Sequence, residues 1–159
     1  MVHRDVASRN ILLINGNKAK LSDFGLCCHC DESFTYRASL QKRFPLKWLP
    51  IEALVDRIFS EKSDVWSFGV LCYEVFTYGT VPYPAMTNVE MLEFLQAGNR
   101  LEKPALAPDA IYDLMLDCWK RDPAERPSFS VIGGVLRGML ENETAEYGYL
   151  KLDLRCSDI

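Results

Sequence analysis

The stretch from Val65 to Phe76 constrains the fold more than any other part of the chain. Val65, Trp66, Phe68, Val70, Leu71, Cys72, Val75 and Phe76 make it apolar nearly all round a helix, and a helix without a polar face belongs inside a domain. Ser67 and Glu74 interrupt the run, which is also too short to span a bilayer. A central helix of this kind needs a sizeable surround. The 159 residues, 48% hydrophobic and 25% charged, supply one soluble globular domain rather than a disordered chain.

The helix is expected to begin at Ser63, with Asp64 in its first turn. Further helices are expected over 88–97, 108–119 and 128–140, with Asn88 and Ser128 as N-caps and Pro108 in a first turn. Gly133-Gly134 weakens the last of them. Before the central helix, Ile11 to Ile14 is a short apolar run, Asn15-Gly16-Asn17-Lys18 is turn chemistry, and Ala19 to Ser22 returns as a second strand. The antiparallel return brings Asn10, just before the first strand, close to Asp23, just after the second. An amide oxygen and a carboxylate then meet at one end of the hairpin. Cys27 to Lys47 shows no sustained period and holds Asp31, Glu32, Ser33, Ser39, Lys42 and Arg43. It reads as an exposed loop of about 20 residues, a length that in compact domains usually goes with function or disorder.

Several classes are excluded by composition. A net charge of -4 with no lysine or arginine cluster gives no electrostatic footprint for nucleic acid. Met1-Val2-His3-Arg4-Asp5 has neither the basic flank nor the apolar run of a signal peptide. The six cysteines, Cys27, Cys28, Cys30, Cys72, Cys118 and Cys156, form no disulfide framework, so reduced thiols are the default. Cys27 and Cys30 have the spacing of half a zinc site. Structural zinc needs four converging ligands and no second pair is evident, so free thiols are expected.

The chemistry is concentrated near the N-terminus. His3-Arg4-Asp5-Val6-Ala7-Ser8-Arg9-Asn10 followed by Ser22-Asp23-Phe24-Gly25 resembles the catalytic-loop and metal-loop signature of protein kinases. Phosphoryl transfer demands an acceptor base, hard oxygen ligands for magnesium and fixed positions for both. By this resemblance Asp5 orients the substrate hydroxyl and accepts its proton, Asn10 and Asp23 hold magnesium on the ATP phosphates, and Leu12 floors the adenine pocket. Serine/threonine kinases usually carry a lysine two residues after the catalytic aspartate. Here that position is Ala7, and Arg9 directly precedes Asn10, as in receptor-type tyrosine kinases. Phe44-Pro45-Leu46-Lys47-Trp48 resembles the tyrosine kinase segment that shapes the substrate platform, with Pro45, Lys47 and Trp48 as its candidate residues.

Downstream, Ser63-Asp64-Val65-Trp66-Ser67-Phe68-Gly69-Val70 resembles the central buried helix of the kinase large lobe. Cys118-Trp119 through Arg126-Pro127-Ser128-Phe129 is similar to its closing signature. The resemblance implies that Asp64 holds the catalytic-loop backbone and that Glu52 pairs with Arg126. Where the family usually has Ala-Pro-Glu this chain has Pro50-Ile51-Glu52; Glu52 is kept, so the anchor is expected to survive. Tyr36, nine residues before Pro45, resembles the autophosphorylated tyrosine of receptor kinases, and a phosphate there is expected to pair with Arg4.

The expected fold is therefore α+β and mainly α-helical, a kinase-like large lobe with a small β-hairpin at the catalytic site and no small lobe. Residues 1–140 form the kinase piece, with the catalytic loop at 3–10, the metal loop at 23–25 and the activation loop at 26–52; residues 141–159 form a tail. Tyr147 and Tyr149 in that tail are candidate docking points for phosphotyrosine-binding adaptors. The expected function is ATP- and magnesium-dependent transfer to tyrosine of protein substrates, on the cytoplasmic side of the plasma membrane in a receptor parent. No glycine-rich phosphate loop, strand lysine or helix glutamate of a small lobe is in the chain. The isolated piece is expected to be soluble, without a membrane segment, marginally stable and inactive alone. The alternative is a catalytically silent binding or regulatory module; intact Asp5, Asn10 and Asp23 favour the enzyme.

Overall fold

In the computed structural model, which describes residues 1–15, 18–39 and 43–146, the chain is mainly helical with two small two-stranded sheets. Two units are distinguished, Met1–Ser128 and Phe129–Ile159. Strands β1 (Ile11–Ile14) and β2 (Lys18–Leu21) pair antiparallel, with Ile11 opposite Leu21 and Ile14 opposite Lys18. The hairpin is as expected, shifted by one residue on its return. Asn15 opens the turn with a positive φ of 52°, a conformation asparagine tolerates; Gly16 and Asn17 lie outside the described residues.

The central helix, α2 (Glu61–Phe76), starts earlier than its apolar pattern. Ser60 caps it, accepting from the Lys62 N–H at 3.1 Å, while its own N–H donates to Ser63 Oγ at 3.0 Å. Val65, Trp66 and Val70 are wholly buried. Ser63, Asp64, Ser67 and Glu74 are buried too, and each is hydrogen-bonded. Burying a polar group is costly unless it is paired, and three of these four pair with loops outside the helix. The helix is thus a post on which the loops hang. It carries the 3-10 turns Ser8–Asn10, Leu46–Trp48 and Pro123–Glu125, and packs against α4 (Asp109–Cys118).

Close packing of α2 on α4 depends on Gly69. A Cβ there would stand 2.6 Å from Trp119 Nε1 and 2.9 Å from Cys118 Cβ. Gly69→Ala is therefore expected to destabilise the chain by about 1–3 kcal/mol through overpacking, read as a lowered thermal midpoint. An unchanged midpoint would mean that the two helices part freely.

The other elements refine the sequence reading. Helix α3 (Asn88–Gln96) is capped by Thr87 rather than Asn88, in a reciprocal box with Glu90. Pro108 precedes α4, at the N-cap rather than inside the first turn. A short helix, α1 (Ile51–Val55), was not anticipated. In the second unit, α5 (Phe129–Glu146) runs through Gly133-Gly134 without a break. Tyr147, Tyr149 and the rest of the tail lie outside the described residues.

The segment 27–47 differs most from expectation, because much of it is neither free nor wholly exposed. Cys28 bridges to Val2, and β3 (Tyr36–Arg37) pairs antiparallel with β4 (Ile58–Phe59). Val2, Ala38, Leu49, Ala53 and Phe59 make a small buried core, with Cys28, Cys30, Tyr36, Phe44 and Leu54 packed on it. The turn at 31–35 is held by its own polar contacts, chiefly the Asp31 carboxylate accepting from the Ser33 and Thr35 N–H groups. Apolar residues without period 2 or 3.6 gave no signal for this core, because its members come from five separate segments.

Candidate functional site

Asp64 places the loop 3–10. One carboxylate oxygen accepts the His3 N–H at 2.6 Å and the other the Arg4 N–H at 2.8 Å. Burial pushes the Asp64 carboxyl pKa up, while those two N–H donors and the nearby His3 and Arg4 charges pull it down. Held this way, Arg4 adopts a left-handed φ of 68°, a conformation that for a non-glycine residue costs energy and persists only where surroundings enforce it.

The hairpin brings the two ends of the candidate site together. The Asn10 carbonyl accepts both the Ser22 N–H and the Ser22 hydroxyl, each at 2.8 Å, and Ser22 immediately precedes Asp23. The Asn10 side chain donates to the Asp5 carbonyl at 2.8 Å, which joins all three expected residues through one short chain of contacts. Asp23 has a left-handed φ of 59° and its Oδ1 accepts from the Gly25 N–H at 3.2 Å. A Cβ at position 25 would lie 3.1 Å from that oxygen, so glycine keeps the approach to the carboxylate clear. Phe24, 58% exposed, meets the His3 ring edge-on at 5.2 Å. Leu12 lies on the exposed face of β1.

Arg9 makes an ion pair with the Asp5 carboxylate, whose side chain is 14% exposed. The same guanidinium lies 4.3 Å from the centroid of the Trp48 ring, a cation–π distance. Trp48 closes the turn Leu46–Trp48, which follows Pro45, and Lys47 in that turn donates to the Tyr83 carbonyl at 2.7 Å. Two of the candidate platform residues, Lys47 and Trp48, are therefore anchored on different partners. Glu74, Ser8 and Ser67 complete the anchorage and were not singled out from the sequence. The available signal was Ser67 and Glu74 interrupting an apolar helix.

Arg4 is 1% exposed, and its Nε donates to the Leu26 carbonyl at 2.6 Å. Its two terminal nitrogens have no hydrogen-bond partner among the described residues. The guanidinium sits 4.6 Å from the Tyr36 ring centroid, with Phe44 at 5.3 Å and Phe59 at 5.5 Å. The buried guanidinium thus faces three rings and, among the described residues, makes no ion pair.

Glu52 and Arg126 form a bidentate pair, at 2.7 and 2.9 Å. The thiols at 27 and 28 are raised in pKa, mainly by burial. Among the described residues no group of three or more His, Cys, Asp or Glu is placed to hold a metal, and no helix is long and apolar enough to cross a membrane.

Comparison with known proteins agrees with this arrangement. A family model described as protein tyrosine and serine/threonine kinase matches residues 1–136. Tyrosine-protein kinase Srms of Homo sapiens is 49% identical over 132 residues, covering 83% of this chain and 27% of the relative. Tyrosine-protein kinase SRK2 of Spongilla lacustris is 44% identical over 146 residues, 92% of this chain and 40% of the relative. The fibroblast growth factor receptor of Hydra vulgaris is 42% identical over 147 residues, 92% of this chain and 18% of the relative. The chain thus spans well under half the length of these curated relatives. With a family model matched over residues 1–136 and tyrosine-kinase relatives 44 and 49% identical, the chain belongs to the protein tyrosine and serine/threonine kinase family.

Proposed function

We propose that the protein carrying this chain is a protein-tyrosine kinase that moves the γ-phosphoryl group of ATP to tyrosine hydroxyls of protein substrates. The observation that carries this reading is the closure of the hairpin, which ties Asn10 to Ser22, beside Asp23, and to the backbone of Asp5. Asp5 accepts the proton of the incoming phenol, and Arg9 holds its carboxylate in place. Asn10 donates through its amide nitrogen, so its Oδ1 is left as a hard oxygen donor, and Asp23 Oδ2 likewise has no protein donor among the described residues. These two oxygens suit magnesium. When bound, the ion supplies neutralisation of phosphate charge. Leu12 offers an apolar surface to the adenine ring, and Pro45, Lys47 and Trp48 support the tyrosine side.

The receptor-type reading, with the domain on the cytoplasmic side of a plasma membrane, is supported by the likeness to the Hydra receptor and by Ala7 and Arg9 in the loop. The 159 residues alone contain no glycine-rich phosphate loop, and positioning is worth several kcal/mol in phosphoryl transfer. The isolated chain is therefore expected to be inactive. Exposed Leu12, Leu13 and Phe24 on the hairpin side also favour a covering partner there.

Regulation centres on Tyr36. A phosphate on its hydroxyl would supply the anion that the terminal nitrogens of Arg4 lack. Tyr36→Phe keeps the ring over Arg4, so stability should hold within about 0.5 kcal/mol. Activation by preincubation with ATP should fall about tenfold or more, since each charge-assisted bond is worth about 1.5–3 kcal/mol. Full activation of the Phe variant would remove Tyr36 from the account. The kinase reading itself is tested by assaying the full-length protein with magnesium, ATP and a tyrosine peptide; activity that survives loss of Asp23 would contradict it.

A further inference from the structure

Glu74 is a buried carboxylate, 4% exposed, that the chemistry above does not use. Its Oε1 accepts the Ser8 hydroxyl at 2.6 Å, and its Oε2 accepts the Ser8 N–H at 3.0 Å and the Trp48 indole N–H at 2.9 Å. No cation pairs with it among the described residues. A buried charge held only by neutral donors is an expensive way to pack a helix, since an apolar side chain would pack as well without the desolvation cost.

What the carboxylate achieves is connection. Ser8 belongs to the loop that carries Asp5, and Trp48 belongs to the platform turn. Trp48 lies against Arg9, Arg9 pairs with Asp5, and the Ser67 hydroxyl fixes the Trp48 carbonyl at 2.8 Å. The contacts run from Asp5 through Arg9, Trp48 and Glu74 to Ser8 and close on the same loop. We propose that Glu74 is a positioning residue that couples the substrate platform to the catalytic loop, so that the Asp5–Arg9 pair is set only when Trp48 is docked. This rests on the roles assigned above to Asp5 and Trp48.

The wiring makes a chemical distinction between variants. In Glu74→Gln the amide oxygen can still accept the Ser8 and Trp48 N–H groups, and the amide nitrogen can donate to the Ser8 hydroxyl, which is able to accept. In Glu74→Leu all three contacts are lost.

The test combines kinetics and spectroscopy. In the full-length protein, Glu74→Leu is expected to lower kcat for a tyrosine peptide about tenfold to a hundredfold while leaving KM for ATP unchanged. Glu74→Gln should restore kcat to within about threefold, because neutral bonds replace charge-assisted ones. Trp48→Phe, which removes the indole N–H that Glu74 accepts and leaves a smaller aromatic ring beside Arg9, should lower kcat in the same direction, and this milder variant decides the matter if Glu74→Leu fails to fold. In the full-length protein, labelled with nitrogen-15, the Arg9 Nε resonance should move in Trp48→Phe and stay near its original position in Glu74→Gln. A loss of thermal stability with unchanged kcat, or an Arg9 resonance indifferent to Trp48→Phe, would overturn the proposal. If the unsubstituted protein transfers no phosphoryl group, the functional reading fails by itself and the Arg9 resonance alone decides this one.

Discussion

Asp5→Asn in the full-length protein is expected to fold as the parent does and to lose phosphoryl transfer to tyrosine by about a hundredfold to ten-thousandfold, the range that general base groups supply. The substitution keeps the size of the side chain, and the Asp5 backbone carbonyl that receives the Asn10 amide is untouched. What disappears is the charge that pairs with Arg9 and, on the proposed function, the site that accepts the phenol proton. Exposed ion pairs contribute little to stability, and the Arg9 side chain is 40% exposed, so the thermal midpoint should move little. Initial rates on a tyrosine peptide, with the midpoint measured alongside, separate the two effects. A rate within tenfold of the parent would remove Asp5 from the chemistry.

Glu52→Gln is expected to show the opposite pattern, a large stability loss with a structural cause. The Arg126 side chain is fully buried, and its Nε and terminal nitrogens reach the carbonyls of Lys120, Lys62 and Arg121 besides the Glu52 carboxylate. Its guanidinium also lies 5.0 Å from the Trp66 ring centroid on the central helix. Removing one partner leaves a buried charge uncompensated, which costs about 3–5 kcal/mol. For a domain of this size that corresponds to a fall of about 10 °C in the thermal midpoint. Replacing both partners with apolar residues, Glu52→Leu with Arg126→Met, should recover part of the loss. A midpoint lowered equally by the single and double variants would show that the pair's charge is not what matters.

The parts of the fold that the sequence made legible are those written in local patterns. The hairpin followed from a turn between two short runs, and it carried the most consequential inference, the meeting of Asn10 with the Ser22–Asp23 corner. The central helix followed from its apolar surface. Asp64 and Glu52 were expected to be anchors from the resemblance, and both make the contacts it implied. The parts that were not legible depend on residues far apart in sequence. The small core under the segment 27–47 gathers Val2, Ala38, Leu49, Ala53 and Phe59, and no window of local sequence contains that set. Thr87 was passed over as a cap in favour of its neighbour Asn88 because both residue types cap well; only the backbone geometry chooses between them. Glu74 looked like a flaw in an apolar helix. Its meaning lies in Ser8 and Trp48, 66 and 26 residues away.

Arg4 shows the same division. Its place beside the candidate base was visible in the sequence, which also offered Tyr36 as a candidate modification point. That the guanidinium is buried among three rings, with two nitrogens unpartnered among the described residues, required coordinates, and it is the observation on which the proposed phosphate contact rests.

The measurement that bears most directly on the central claim is the identity of the phosphorylated amino acid. The full-length protein, magnesium and radiolabelled ATP are incubated with an equal mixture of tyrosine, serine and threonine peptides, and the product is hydrolysed and its phosphoamino acids separated. Phosphotyrosine as the product, absent when Asp5→Asn protein is used, is the result predicted here. Phosphoserine or phosphothreonine as the sole product, or no label transferred by protein that binds ATP, would contradict it.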